Sequence, residues 1–251
     1  MRLLFFLLLT IFSCSTKKDI LLIQDSNSTT NYDFEYKEIK IQPDDILRIK
    51  ISSKTVDLTS LYKPDNTNLR QAGNILSYQI EGYLVDPNGF VNIPGLEPVL
   101  VKNLSLNEAV IKIQNLLEKE AVLTNGKVDI KFLNNYFTVL GEVKNPGKYS
   151  FLENNMNIFQ ALGMAGDMTI NGKRDDIKII SENGGKMIVN SIDLTSSKLL
   201  ESGSFQILPG DIIIINANTA RVKNAGIVGN FGNLLSALSF ILSSIILITN
   251  N

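Results

Sequence analysis

The 251-residue sequence contains no histidine, no tryptophan and only one cysteine, Cys14. Each absence removes a class of function. Without histidine there is no imidazole general base, no Ser-His-Asp relay and none of the commonest zinc ligands. One cysteine excludes an intrachain disulfide and any thiolate cluster. Without tryptophan, an aromatic platform for stacking a sugar has to come from Tyr or Phe. No excess of either charge is present: 24 Lys and Arg stand against 25 Asp and Glu. A broad basic surface for nucleic acid is therefore not expected, and neither is a nucleic-acid partner. Carboxylate-only chemistry is what remains of catalysis. The expectation is a protein that is not an enzyme, with no cofactor and no metal site.

The two ends are informative. The N-terminus reads Met1-Arg2, then "LLFFLLLTIFS", then Cys14. One positive charge, a short apolar run and a small residue are the layout of a secretory signal peptide. The run is too short to span a bilayer. "TIFSC" resembles a bacterial lipobox, in which Ser13 precedes the cut and Cys14 becomes the lipidated N-terminus. The alternative is an ordinary signal peptide with an incidental cysteine. Lipidation is favoured because the only thiol in the chain falls at that position, and acyl chains would hold the mature protein to a membrane. Residues 1–13 are thus read as a signal peptide and residues 14–35 as a polar, flexible tether.

No charged residue follows Lys223. Residues 219–251 are expected to form an amphipathic membrane-spanning helix, with its apolar core in "NLLSALSFILSSIILITNN". At ~100° per residue, Ser236, Ser239, Ser243 and Asn250 fall within one arc, with Asn233 at its edge. Leu234, Leu238, Ile241, Leu242, Ile245 and Ile248 cover the opposite side. In a ring of such helices the Ser and Asn side chains face neighbours or a water-filled lumen while the apolar side faces lipid. In a simple C-terminal anchor the serines instead bond back to their own helix carbonyls.

Between the ends lie mostly strands and turns. "FEYKEIKIQPDDILRIKIS" predicts two short strands around a turn carrying Pro43 and Asp45. The polar stretch around Pro64 and Gly73 reads as an inserted loop. "YLVDPNGFVNIPG" predicts a hairpin turning at Asp86-Pro87-Asn88-Gly89. "SLNEAVIKIQNLLEKEA" predicts a helix, with Ser105 and Glu108 forming a capping box and Ala109, Ile113, Leu116 and Leu117 on its buried face. "KVDIKFL" predicts a strand. These elements make one small mixed domain over residues 36–133.

A second unit spans residues 134–218. Phe137, Val139 and Gly141 alternate along a strand, Asn145-Pro146-Gly147 predicts a tight hairpin turn, and Tyr149-Ser150-Phe151 returns. "MNIFQALGMAGDM" predicts a short helix; "DDIKIIS" and "KMIVNSIDL" predict further strands joined across Glu182-Asn183-Gly184-Gly185. "FQILPGDIIIIN" closes the unit. Its turn at Pro209, Gly210 and Asp211 echoes the Pro43 to Asp45 turn upstream, and both aspartates are expected to cap turns. A hairpin, one helix and strands around it is the layout of a β-grasp. The fold class expected is α+β: a small mixed domain, one β-grasp domain and a C-terminal membrane helix.

In this order the elements resemble the outer-membrane polysaccharide export (OPX) lipoproteins. "YKEIKIQPDDILRIKIS" is similar to the start of that family's export domain, with Asp44 where glycine is usual. "YLVDPNGFVNIPGLEPVLVKNLSLNEA" is similar to its continuation, with Asn103 in place of a glycine before the helix cap; Asn tolerates the left-handed backbone. "FTVLGEVKNPGKYSF" and "NIFQALGMAGDMT" resemble the family's SLBB module through Gly141, Val143, Pro146, Gly147 and Tyr149. These patterns describe backbone shape and carry almost no chemistry. The resemblance implies a homo-oligomeric ring anchored through Cys14 in outer-membrane lipid, with a periplasmic body and an outer helical barrel. The conduit would pass capsular or exopolysaccharide, together with an inner-membrane polysaccharide copolymerase, in many cases one linked to a tyrosine kinase. Two other readings compete. One is a lipid-anchored module that binds a glycan or protein without forming a pore. The other is a carboxylate-based glycan hydrolase, for which Glu81, Asp86 and Glu97 are the nearest acids.

Overall fold

The computed structural model describes residues 20–25, 31–32, 36–52, 82–119, 126–201, 205–218 and 231–249. Cys14, Glu81, Asn250 and the inserted loop around Pro64 and Gly73 lie outside the described residues.

The first body is a three-stranded antiparallel sheet of order β2–β1–β5, built from β1 (Ile46–Ser52), β2 (Tyr83–Leu84) and β5 (Lys127–Phe132). Period-two alternation explains it. Leu47, Ile49 and Ile51 of β1 and Val128, Ile130 and Phe132 of β5 are buried, while the residues between them in β5 are exposed. Helix α1 (Leu106–Lys119) covers this face with Ala109, Ile113 and Leu117. The expected capping box is present: Glu108 N–H donates to Ser105 Oγ at 3.2 Å, and Ser105 N–H donates to Glu108 Oε2 at 2.8 Å. A separate two-stranded ribbon joins β3 (Phe90–Val91) to β4 (Val99–Leu100).

The second body is a five-stranded mixed sheet of order β10–β9–β12–β6–β7. Strand β6 (Tyr136–Gly141) pairs antiparallel with β7 (Gly147–Ser150), and β9 (Gly172–Asn183) with β10 (Lys186–Ile192). Strand β12 (Ile212–Ala217) lies between them, parallel to β6 and antiparallel to β9. Helix α2 (Ile158–Met164) packs on the sheet through Ile158, Ala161 and Leu162. Its start is held by Asn157 and Gln160, which form a second capping box. The short strands β8 (Met156–Asn157) and β11 (Gln206–Ile207) pair beneath it. A 3-10 helix follows β10 at Ser197–Glu201. In β12, Ile213 and Ile215 reach the core and Ile212 and Ile214 are partly covered, so burial of the first pair contributes about 1.5–3 kcal/mol each. Two hairpins, one helix and the parallel pairing of β6 with β12 are compatible with the expected β-grasp.

Helix α3 (Phe231–Thr249) ends the described chain and lies within the 219–251 segment expected, the rest of which is outside the described residues. Among the described residues no helix is long and apolar enough to cross a membrane, so the membrane-spanning assignment is not supported. At ~1.5 Å per residue, 19 residues reach about 28 Å, just under a hydrocarbon core of about 30 Å.

Four expectations need correction. In "FEYKEIKI" the described residues 36–41 form no strand: Lys40 makes only an isolated bridge to Ser105, and Ile41 exchanges backbone bonds with Asn103 and Leu104. The Asp86 turn forms, but one bridge, Val85 to Val91, links its arms, because β3 pairs with β4 instead. Pro146 and Gly147 do not form a tight turn. Gly147 is the first residue of β7, opposite Val139, and the left-handed residue is Gly141, at φ +91°. Finally, the tether is not wholly free. Ile23 and Gln24 donate to the carbonyls of Leu194 and Thr195 in the second body, at 3.0 and 2.7 Å.

Candidate functional site: the joint between the two bodies

The two Pro-x-Asp turns meet at the short connector between β5 and β6. Each turn has the same construction. Asp45 Oδ2 accepts the Gln42 N–H at 2.7 Å, and Asp211 Oδ2 accepts the Leu208 N–H at 2.8 Å. The residue before each aspartate is left-handed: Asp44 at φ +69° and Gly210 at φ +85°. Glycine adopts that conformation freely, and aspartate is among the few others that tolerate it. Asn103, the other substitution at a glycine-preferred position, is left-handed too, at φ +63°.

The first turn holds the connector and the second holds the start of β6. Asn134 Oδ1 accepts the Ile46 N–H at 2.8 Å, and its Nδ2 donates to the Asp44 carbonyl at 2.9 Å. Two residues on, the Tyr136 carbonyl accepts the Gly210 N–H at 2.7 Å, and Thr138 N–H donates to the Asp211 carbonyl at 2.9 Å. Pro43 and Pro209 open the turns and need supply no N–H there. A further clasp joins the N-terminal approach of the first body to the second. The buried Gln206 amide accepts the Lys37 N–H at 2.7 Å and donates to the Lys37 carbonyl at 2.9 Å. Asn135, between the two gripped residues, is buried, and neither polar atom of its side chain has a hydrogen-bond partner.

The electrostatics follow from the turns. Burial is the main cause that pushes the Asp45 carboxyl up to about 6; the Gln42 N–H opposes it and the neighbouring Asp44 charge adds to it. Asp211 moves up for the same first reason, against hydrogen bonds from Ser181 and Leu208 and the Lys37 charge. Asp86 is tied to its own turn, its Oδ1 accepting the Asn88 and Phe90 N–H groups at 2.9 Å each. Gly89 closes that turn at φ +89°. Each of these acids accepts backbone N–H groups of its own turn. Among the described residues no group of three or more Asp, Glu or Cys side chains is placed to hold a metal ion. What the arrangement can do is set two small bodies in a fixed register.

The C-terminal serines stand apart from this joint. Ser236 Oγ donates to the Gly232 carbonyl and Ser243 Oγ to the Ser239 carbonyl, each at 2.8 Å. This is the back-bonding of the simpler reading. The Asn233 side chain lies outside the described residues. Sequence reasoning does not single out Asn134 or Gln206; an Asn-Asn pair between two alternating strands is the one available signal. Arg174, buried in β9 and donating to the Gly172 and Thr169 carbonyls, left none.

The two bodies correspond to two known domain families. The polysaccharide biosynthesis/export protein family matches residues 35–133, and the SLBB domain matches residues 136–190. The five-stranded sheet runs on past the second match, to Ala217. No curated protein matches the chain at a significant level. These two domains in tandem, meeting at Asn134-Asn135, are the mark of the OPX proteins, and the chain belongs to this polysaccharide export family.

Proposed function

We propose that this chain is an outer-membrane lipoprotein that assembles into an oligomeric channel for capsular or exopolysaccharide. The observation that carries the proposal is the tandem of export and SLBB domains in one chain. Such domains belong to a transport family and not to an enzyme class. Cys14 would carry the lipid, and an inner-membrane copolymerase would deliver the polymer to the periplasmic body.

In this reading α3 lines the outer part of the conduit. Its Leu238, Phe240, Ile241, Leu242 and Ile245 side chains are exposed in the single chain, a surface that lipid or neighbouring helices would cover. A helix slightly short for the hydrocarbon core gains from being held in a ring by its neighbours. The back-bonded serines are compatible with a wall. A hydroxyl that donates to its own helix keeps its acceptor lone pairs for water or for polymer hydroxyls. Contacts of this kind are weak and uncharged, so a hydrated glycan can slide past them.

Replacing Ser236, Ser239 and Ser243 with Leu is expected to abolish surface polysaccharide while leaving the protein folded and membrane-attached. Normal surface polysaccharide in that variant would remove α3 from the conduit wall. Oligomeric state in detergent separates the channel from a lipid-anchored binding module, which would be a stable monomer or dimer.

A further inference from the structure

Residues Ile20–Asp25 form a clip on the second body. Besides the bonds of Ile23 and Gln24, the Asp25 carboxylate accepts the Ser197 N–H at 2.6 Å and the Ser196 hydroxyl at 2.8 Å. It thereby caps the Ser197–Glu201 3-10 helix, and these two bonds hold its carboxyl below the usual range. Ile23 sits at φ +47°, a conformation that a β-branched residue adopts only when its surroundings impose it.

The place where the clip docks is informative. Leu194 N–H donates to the Arg174 carbonyl, so the docking segment lies beside the first residues of β9. Strand β12 ends at the same place: Ala217 is opposite Gly172, and Asn218 bonds the carbonyls of Asn171 and Ile170. The incoming N-terminal segment and the outgoing C-terminal segment therefore leave the sheet at one end, about 10 Å apart along β9 at ~3.3 Å per residue. That end carries exposed aliphatic side chains with no role in the core: Leu21 is 51% exposed and Ile170 68%, and Ile20 and Leu22 are exposed as well. The opposite end of β9, at the Gly184-Gly185 turn, lies about 40 Å away by the same rise.

We infer that the end of the SLBB domain formed by Ile20–Leu22, Ile170 and Asp193–Ser197 rests on the lipid surface, held there by the clip. The inference deepens the proposed function and rests on lipidation of Cys14. The occupant follows from chain length. Six residue steps separate Cys14 from Ile20, a reach of about 20 Å at most. Undocked, the chain would run 22 steps from Cys14 to Tyr36, about 75 Å, and would leave the orientation of the body unconstrained. The clip thus converts a long leash into a short one, and brings four aliphatic side chains to the depth where partial burial among headgroups is favourable.

The test uses the full-length protein in vesicles that contain nitroxide-headgroup lipid. Acylation of Cys14 leaves an introduced cysteine as the only reactive thiol, so a fluorophore can be placed at Ile170→Cys or at Asn183→Cys. The expected result is a large loss of emission at position 170 and none at position 183. Adding Ile23→Pro removes the N–H to Leu194 and forbids the positive φ, and is expected to abolish the difference while the protein stays membrane-bound. Equal quenching at the two positions, or a difference that survives Ile23→Pro, would overturn the inference alone. Mass spectrometry showing no acyl chain on Cys14 would overturn it together with the lipoprotein reading.

Discussion

Gly141 offers the sharpest quantitative test of the fold that sets the joint. It ends β6 at φ +91°, beside the parallel strand β12. A Cβ built there would lie 2.0 Å from the Ile215 carbonyl oxygen and 3.0 Å from its carbonyl carbon, both backbone atoms. Strand β12 would have to retreat by about 1 Å, which breaks the 3.0 Å bond from Glu142 N–H to the same oxygen. For Gly141→Ala, left-handed strain costs about 1–2 kcal/mol and overpacking about 1–3 kcal/mol, so the loss is about 2–5 kcal/mol. Two other glycines serve as controls. Gly210 has φ +85° with nothing within 4 Å of the added carbon, so Gly210→Ala incurs the strain alone, about 1–2 kcal/mol. Gly147 has neither a positive φ nor a neighbour within 4 Å, and Gly147→Ala is expected to be neutral or to stabilise by up to about 1 kcal/mol through the unfolded chain. Urea denaturation of the three full-length variants should rank them in that order. A Gly210→Ala loss equal to that of Gly141→Ala would refute the close approach of β6 and β12.

Other consequences concern the joint. The raised Asp45 carboxyl means that the folded protein holds a proton which the unfolded chain has released between about pH 4 and pH 6. Its contribution to stability is present below about pH 4 and is lost as the pH rises through 6; Asp211 acts in the same direction. Asp45→Asn should flatten this fall in denaturation curves taken across that range, and a slope identical to wild type would contradict the assignment. Asn134→Ala removes two hydrogen bonds and leaves Ile46 N–H and the Asp44 carbonyl unmatched, a loss of about 1–3 kcal/mol. Limited proteolysis should then cut the connector faster, and an unchanged cleavage rate would show that the side chain does not hold the joint.

Much of this architecture was legible because turn chemistry and period-two alternation are local. The Ser105–Glu108 box, the buried face of α1, the Asp86 turn and both Pro-x-Asp turns appear where their residues imply. The substitutions Asp44 and Asn103 were readable for the same reason, since few non-glycine residues accept a left-handed backbone. Long-range pairing was not legible. Nothing in "IIIIN" states that β12 lies parallel to β6, and the Asn-Pro-Gly signal pointed to a tight turn where the left-handed residue is five positions earlier, at Gly141. The docked clip was hidden within a polar segment, although the aliphatic run Ile20–Ile23 was a visible departure from tether composition. The Gln206 clasp, the hold of the Asp45 turn on Asn134 and that of the Asp211 turn on Tyr136 and Thr138 depend on tertiary structure. A serine stripe is likewise ambiguous, because one hydroxyl can satisfy its own helix and still line a wall.

Electron microscopy of the full-length, lipidated protein purified in detergent decides between a channel and a binding module. A channel gives closed rings of identical subunits, with the SLBB domains of all copies on the membrane side and a continuous passage along the ring axis. A population of stable monomers, with no ring at any protein concentration examined, would contradict it.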